Sequence, residues 1–220
     1  MKLKVALLTV ALTALGFAAY LAFHPGVPVV APRMALAAET PLGTANYTID
    51  PMHASIYFEI THLGLSQVHG RFDKFEGHIH EDAANLGNSG VQFTADASSI
   101  DTAVEPRDND LRSDKYFDVA KFPQLTFQST GVEQAGDGYV LHGNLTLHGV
   151  TKSVDIPFKH HGPYTMKGKN GSVTRIGVVA DPIVIKRSDF GIGKTDPMPD
   201  GTIGLSDDVI VTISFEATQD

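Results

Sequence analysis

The sequence predicts an all-β protein of about eight antiparallel strands, broken by a single short helical stretch. Three observations predict it. From Asn46 onward apolar residues recur at every second position, the period of a half-buried strand. Turn-forming clusters at Asn85 to Gly90, Gly136-Asp137-Gly138 and Pro197 to Gly201 separate the alternating runs. One long run, Ser99 to Pro123, does not alternate.

In chain order, Ile56, Phe58 and Ile60 face one way and Tyr57 and Glu59 the other. A second strand carries Val68, Gly70 and Phe72 and resumes after a short interruption with Phe75, Gly77 and Ile79. Val91, Phe93, Ala95 and Ala97 form the third, and Leu125 and Phe127 mark a fourth beyond the non-alternating run. Tyr139, Leu141, Leu145 and Leu147 lead into His148-Gly149, from which Val150, Val154, Ile156 and Phe158 run back as a hairpin. Val173 to Ile185 is a strand bent or broken at Asp181-Pro182, and Val209, Val211, Ile213 and Phe215 form the last. Between the third and fourth strands, a helical segment is expected over about 103–118. Pro106 suits its start, and Glu105, Asp108 and Asp110 complement the positive end of its dipole. Leu111, Tyr116, Phe117 and Phe122 give the segment an apolar side, which makes it a candidate lid or plug.

Short antiparallel links build either an up-and-down barrel or a sandwich, and alternation leaves both open. Eight strands enclose an interior that side chains fill or that holds one small ligand. Glycine at the inward positions 70, 77 and 143 is expected to leave space, against the alternative of a solid core.

The 220 residues suit one β-domain, and 42% hydrophobic content supports a real core. Lys2 and Lys4 precede an uncharged apolar run from Val5 to Phe23, and Ala35-Leu36-Ala37 has the A-x-A cleavage pattern. The expected organisation is a signal peptide over 1–37, a short linker over 38–45 and the β-domain over 46–219. An uncleaved anchor with a stalk from Pro25 to Pro32 is the alternative, and either outcome puts the domain outside the cytoplasm, with the periplasm as the expected compartment. Setting aside Lys2, Lys4 and Arg33 leaves 14 bases against 25 acids, a net charge of −11. So acidic a surface argues against a nucleic-acid partner and against docking by charge onto anionic lipid. With no cysteine, disulfides, thiol catalysis and thiolate metal sites are excluded.

No catalytic motif is present, and Gly191-Ile192-Gly193 lacks the third glycine and helix of a nucleotide-binding loop. His78 and His80 share one strand face, a metal-ligand spacing, but Ile79 takes the buried side and no third ligand accompanies them; no metal is expected. His53 and His62 flank the first strand and suit loop-orienting hydrogen bonds. Arg107-Asp108 is either an ordinary ion pair or a polar group at a barrel mouth.

Several blocks together resemble the YceI-like family. They are Tyr47 to His53, Phe58 to Gly64, Val68 to Phe72, Ser99 to Thr102, Arg107-Asp108, Leu111, Phe117-Asp118, Phe122-Pro123, Phe127 to Ser129, Gly143 to Thr146, His148 to Lys152 and Arg187 to Gly191, spanning nearly all of residues 46 to 217. The resemblance implies an eight-stranded lipocalin-like barrel with an apolar tunnel, in a secreted protein that binds a polyisoprenoid or related long-chain lipid without catalysis. No other cofactor is implied. Transient contact with a membrane or its proteins fits such a carrier, and a homodimer stays open. Alternation assigns the tunnel lining to Phe58, Ile60, Phe72, Phe75, Phe93, Phe127, Leu145 and Phe215, with Arg107 and Asp108 as the polar group near the mouth. The family pattern usually has serine at position 54 and histidine at position 110, where this chain has Ala54 and Asp110, and a different ligand preference is expected if that histidine takes part in head-group contacts. Two alternatives remain, a lipid hydrolase using Asp108 with His53 or His62, and a stress-response module with a solid core.

Overall fold

The computed structural model describes residues 43–169 and 171–220; the expected signal segment or anchor and most of the linker lie outside the described residues. The strands are β1 (Thr44–His62), β2 (Ser66–Phe72), β3 (Phe75–Asp82), β4 (Gly90–Asp96), β5 (Ile100–Asp101), β6 (Gln124–Ala135), β7 (Gly138–Leu147), β8 (Val150–Gly168), β9 (Gly171–Ala180), β10 (Ile183–Lys186) and β11 (Leu205–Gln219). The helix α1 spans Glu105–Arg112. All pairings are antiparallel, and β1 joins β11, closing the ring β1-β3-β4-β6-β7-β8-β9-β11.

The barrel therefore has eight strands, as alternation and the resemblance predict. Two of the eight are interrupted. β2 and β3 pair with successive halves of β1, the break falling at Asp73-Lys74. β9 and β10 pair with successive parts of β11, the break falling at Asp181-Pro182, where proline has no N–H to give a ladder. The hairpin between β7 and β8 turns at His148 (φ 49°) and Gly149 (φ 73°), both left-handed, which matches strand twist in a two-residue loop.

The barrel has two unlike ends. The β1–β2 turn, α1, the His148-Gly149 hairpin and the segment from Arg187 to Gly204 gather at one, the helix end. The start of β1, the end of β11, the β3–β4 loop and the β6–β7 and β8–β9 turns gather at the other, the terminal end. Three apolar clusters follow one another inside. Tyr47, Ile49, Ile79, Ile176, Phe215 and Ala217 lie toward the terminal end, Phe127, Leu141 and Ile156 lie between, and Ile185, Phe190 and Ile192 lie toward the helix end.

The helix is shorter than the expected 103–118. It begins after Val104 with Pro106 in its first turn and ends at Ser113, whose N–H bonds to Asp110 O. Residues 113 to 121 continue as turns, with Phe117 N–H on Leu111 O and Phe122 N–H on Asp118 O. Arg112 holds the helix to the barrel, donating from Nε to Ser98 O at 2.7 Å and from a terminal nitrogen to Ile100 O at 2.7 Å.

Candidate functional site

A cavity of about 260 Å³ runs inside the barrel. That is far beyond the ~10–15 Å³ that one water needs, so the interior is not solid. Its wall is almost wholly apolar, drawn from every strand of the ring. Of the residues that alternation assigns to a lining, Phe72, Phe75, Phe93, Phe127, Leu145 and Phe215 stand on this wall.

Phe58 and Ile60 do not. Both continue the inward series of Ile56, which is on the wall, but the cavity ends before them. Phe58 packs on Phe72 (ring centroids 6.1 Å apart), and Phe72 meets Phe117 edge-on at 5.7 Å. This aromatic stack fills the helix end. Tyr116 and Phe117 pack with the cluster of Ile185, Phe190 and Ile192, and Phe122 stands edge-on to His148 at 4.6 Å. The segment Ser99 to Pro123 is thus a plug for this end.

The inward glycines leave no free space. A Cβ on Gly70 would stand 2.3 Å from the Phe58 ring, on Gly77 2.4 Å from Ile49, and on Gly143 2.2 Å from the Phe127 ring. Each glycine is a seat for a large neighbour, and at Gly77 and Gly143 those neighbours, Ile49 and Phe127, in turn form part of the cavity wall.

Arg107 and Asp108 are also off the cavity wall. Asp108 is 6% exposed and accepts hydrogen bonds from Thr102 N–H and Thr102 Oγ1. Arg107 donates to Thr102 Oγ1 at 2.7 Å and to Thr102 O at 2.6 Å. The two charges fasten α1 to Thr102 beside β5, rather than facing the bore. His53 and His78 are off the wall as well, and His80, which borders the cavity, has its ring turned outward. His53 Nδ1 is 2.8 Å from Asp50, and His78 and His80 turn outward to Thr48 and Asn46.

The ionisable groups on the wall gather at the terminal end, where His80 and Ser89 also border the cavity, while Thr126 meets it nearer the helix end. Glu81 and His160 line it, with Glu81 Oε1 3.7 Å from His160 Nε2. Glu81 Oε2 and His160 Nε2 are both buried without a hydrogen-bond partner. Burial pushes the His160 imidazole pKa down; Glu81 pulls the other way, and His161 adds to the lowering. Tyr47, in the adjoining cluster, has its phenol pushed up by burial and then by the Glu81 carboxylate. Alternation carried two residues further would have found both. Glu81 follows Phe75, Gly77 and Ile79, and His160 follows Val154, Ile156 and Phe158.

A family model described as the YceI-like domain matches residues 47–217. The chain belongs to the YceI-like family. Protein YceI of Salmonella arizonae is 39% identical over 179 residues, 80% of this chain and 87% of that relative. The UPF0312 protein of Yersinia pestis is 45% identical over 120 residues, which cover 54% of this chain and 62% of the relative. Among solved structures, the YceI protein of Campylobacter jejuni superposes with a TM-score of 0.60 at 30% identity, covering 73% of this chain and 90% of that one. A domain from Saccharophagus degradans named as polyisoprenoid binding shares the fold at 19% identity, with a TM-score of 0.57 over 80% of this chain and 99% of that one.

One residue of this YceI-like domain escaped sequence reasoning beyond its block. Arg187 is 4% exposed and donates to four backbone carbonyls, those of Ser206 (2.8 Å), Ile192 (3.0 Å), Lys194 (2.8 Å) and Leu205 (3.0 Å). It ties the Gly191 to Gly204 segment across the helix end. A planar, always-charged donor fork suits that task.

Proposed function

We propose that this YceI-like domain is a non-catalytic carrier or store for a polyisoprenoid or similar long-chain amphiphile, acting outside the cytoplasm in the periplasm. The observation that carries the reading is the apolar cavity inside a closed barrel. A cavity with almost no polar wall has nothing to offer a sugar, nucleotide or peptide, and offers a hydrocarbon chain a dry path. The name of the Saccharophagus domain and the apolar run behind Lys2 and Lys4 support the ligand class and the compartment.

Burial of a hydrocarbon contributes ~0.8 kcal/mol per CH₂ taken from water. A forty-carbon tail would then sum to roughly 30 kcal/mol, above the ~18–21 kcal/mol at which affinities saturate. A lipid drawn from a bilayer gains little of this, because its tail is already dry. Tail length and the few polar groups on the wall then decide what is held.

Two of the residues that the hydrolase alternative names are already engaged, which favours the carrier reading. Asp108 is engaged by Thr102, and His53 is held by Asp50. Native mass spectrometry of the protein purified from its own envelope tests the carrier reading. A long-chain lipid adduct is expected, and a protein without any lipid adduct would overturn it.

A further inference from the structure

We propose that Glu81 and His160 form the head-group site of the cavity, taking a neutral group that both donates and accepts a hydrogen bond, an alcohol, phenol or primary amide, and rejecting a carboxylate or phosphate. This rests on the carrier reading above and names the ligand chemistry that reading leaves open.

The pair spans the bore. Counting round the closed ring, β3 and β8 are four strands apart in either direction, so Glu81 and His160 reach toward each other from opposite walls. Their separation of 3.7 Å is too long for a hydrogen bond. Each side chain stands two residues beyond an inward apolar series, at the place where the cavity meets the terminal end.

An unpartnered carboxylate oxygen beside an unpartnered ring nitrogen in an apolar cavity is costly, and such groups need an explanation in a folded protein. A hydroxyl meets both needs, its O–H donating to Glu81 Oε2 and its oxygen accepting from His160 Nε2–H. A primary amide does the same with N–H and C=O. An anionic head would face the Glu81 carboxylate in a low-dielectric site, where like charges repel strongly. The tail of such a ligand then runs from this pair toward Phe127 and on to Phe72 beneath the helix-end plug.

The test uses the full chain, stripped of lipid, and four probes with one tail: hexadecanol, palmitamide, palmitate and hexadecylamine. An equimolar mixture is read by native mass spectrometry above pH 8. Hexadecanol and palmitamide are expected to outcompete palmitate by about tenfold, equivalent to ~1.4 kcal/mol. Glu81→Gln keeps the shape of the side chain and is expected to raise palmitate to within about threefold of the alcohol. Palmitate bound as well as hexadecanol by the unaltered protein overturns the proposal and leaves the carrier reading standing. So does a preference that Glu81→Gln leaves unchanged, with its circular dichroism showing an intact fold. Hexadecylamine bound more tightly than the alcohol overturns neutral-head selection. Failure of all four probes overturns the carrier reading together with the proposal.

Discussion

Gly143→Ala probes how the barrel interior is packed. The position has ordinary backbone geometry, so alanine brings no conformational penalty there. Its methyl group would stand 2.2 Å from Phe127 Cζ, 2.5 Å from Cε2 and 2.9 Å from Gln128 O. To reach an ordinary contact at 3.4 Å, the ring must retreat by about 1.2 Å, and only its cavity side is open. Overpacking costs ~1–3 kcal/mol, and lost unfolded-state freedom returns ~0.4–1 kcal/mol. The net is a destabilisation of about 1–2 kcal/mol, or a Tm lower by roughly 2–8 °C for a domain of this size. Phe127→Ala alone should cost ~3 kcal/mol, near the low end for a core phenylalanine because one face already borders a cavity. In the double variant the clash with the ring is gone and only the approach to Gln128 O is left, so the two losses should fall short of additivity by about 1 kcal/mol or more. Guanidinium denaturation of the four proteins gives the cycle. A Gly143→Ala protein as stable as its parent, or losses that add within ~0.5 kcal/mol, would refute the seat-and-ring account.

Arg187→Lys should destabilise by ~2–4 kcal/mol, read by denaturant melts, because one ammonium cannot reach the four carbonyls that the guanidinium serves. Asp108→Ala should cost about 1–3 kcal/mol by leaving Thr102 N–H and the Thr102 Oγ1–H without an acceptor in a buried place, and lipid occupancy in native mass spectrometry should be unchanged. His142 is hydrogen-bonded to Asp155, which raises its pKa above the usual 6.5. Its contribution is therefore present below pH 6.5 and lost as pH rises through the folded value; its ring-proton titration should show a midpoint above 6.5 that Asp155→Asn brings down. His160 has the opposite sign, since burial lowers its pKa. The unfolded chain binds a proton near pH 6.5 that the folded one refuses, so stability should decline as pH drops below about 6.5, and His160→Gln should flatten that decline.

Period two shows which face a side chain takes but not how far along the barrel it stands. Ile56, Phe58 and Ile60 share a face, yet only Ile56 reaches the cavity. Depth depends on strand stagger and on what closes each end, and neither is written in a strand's own alternation. The same gap explains the glycines. A missing side chain at Gly143 looks like a void along one strand, whereas the ring that fills it comes from Phe127 on the neighbouring strand. Alternation alone left closure into a barrel rather than a sandwich open, and the family resemblance supplied the barrel; the pairing of β1 with β11 closes it. The breaks at Asp73-Lys74 and Asp181-Pro182 were legible because loss of period and a proline act locally.

Charge misleads in the other direction. Arg107-Asp108 stands out in the sequence as two opposite charges beside aromatic residues, the signature expected of a polar mouth. Thr102, five and six residues earlier, offers a hydroxyl, an N–H and a carbonyl at once, and the local partners win because they cost little chain entropy to bring together. Glu81 and His160 stand out far less, each a single polar residue ending an apolar series. The Tyr47 phenol on the adjoining strand is Glu81's near neighbour, and His160 reaches Glu81 from across the barrel. The structure brings the two within 3.7 Å and leaves an oxygen and a nitrogen unmatched. In a bore walled almost wholly by hydrocarbon, a tail can slide with little change in energy, and a pair of unmatched polar atoms is what gives the interior a direction.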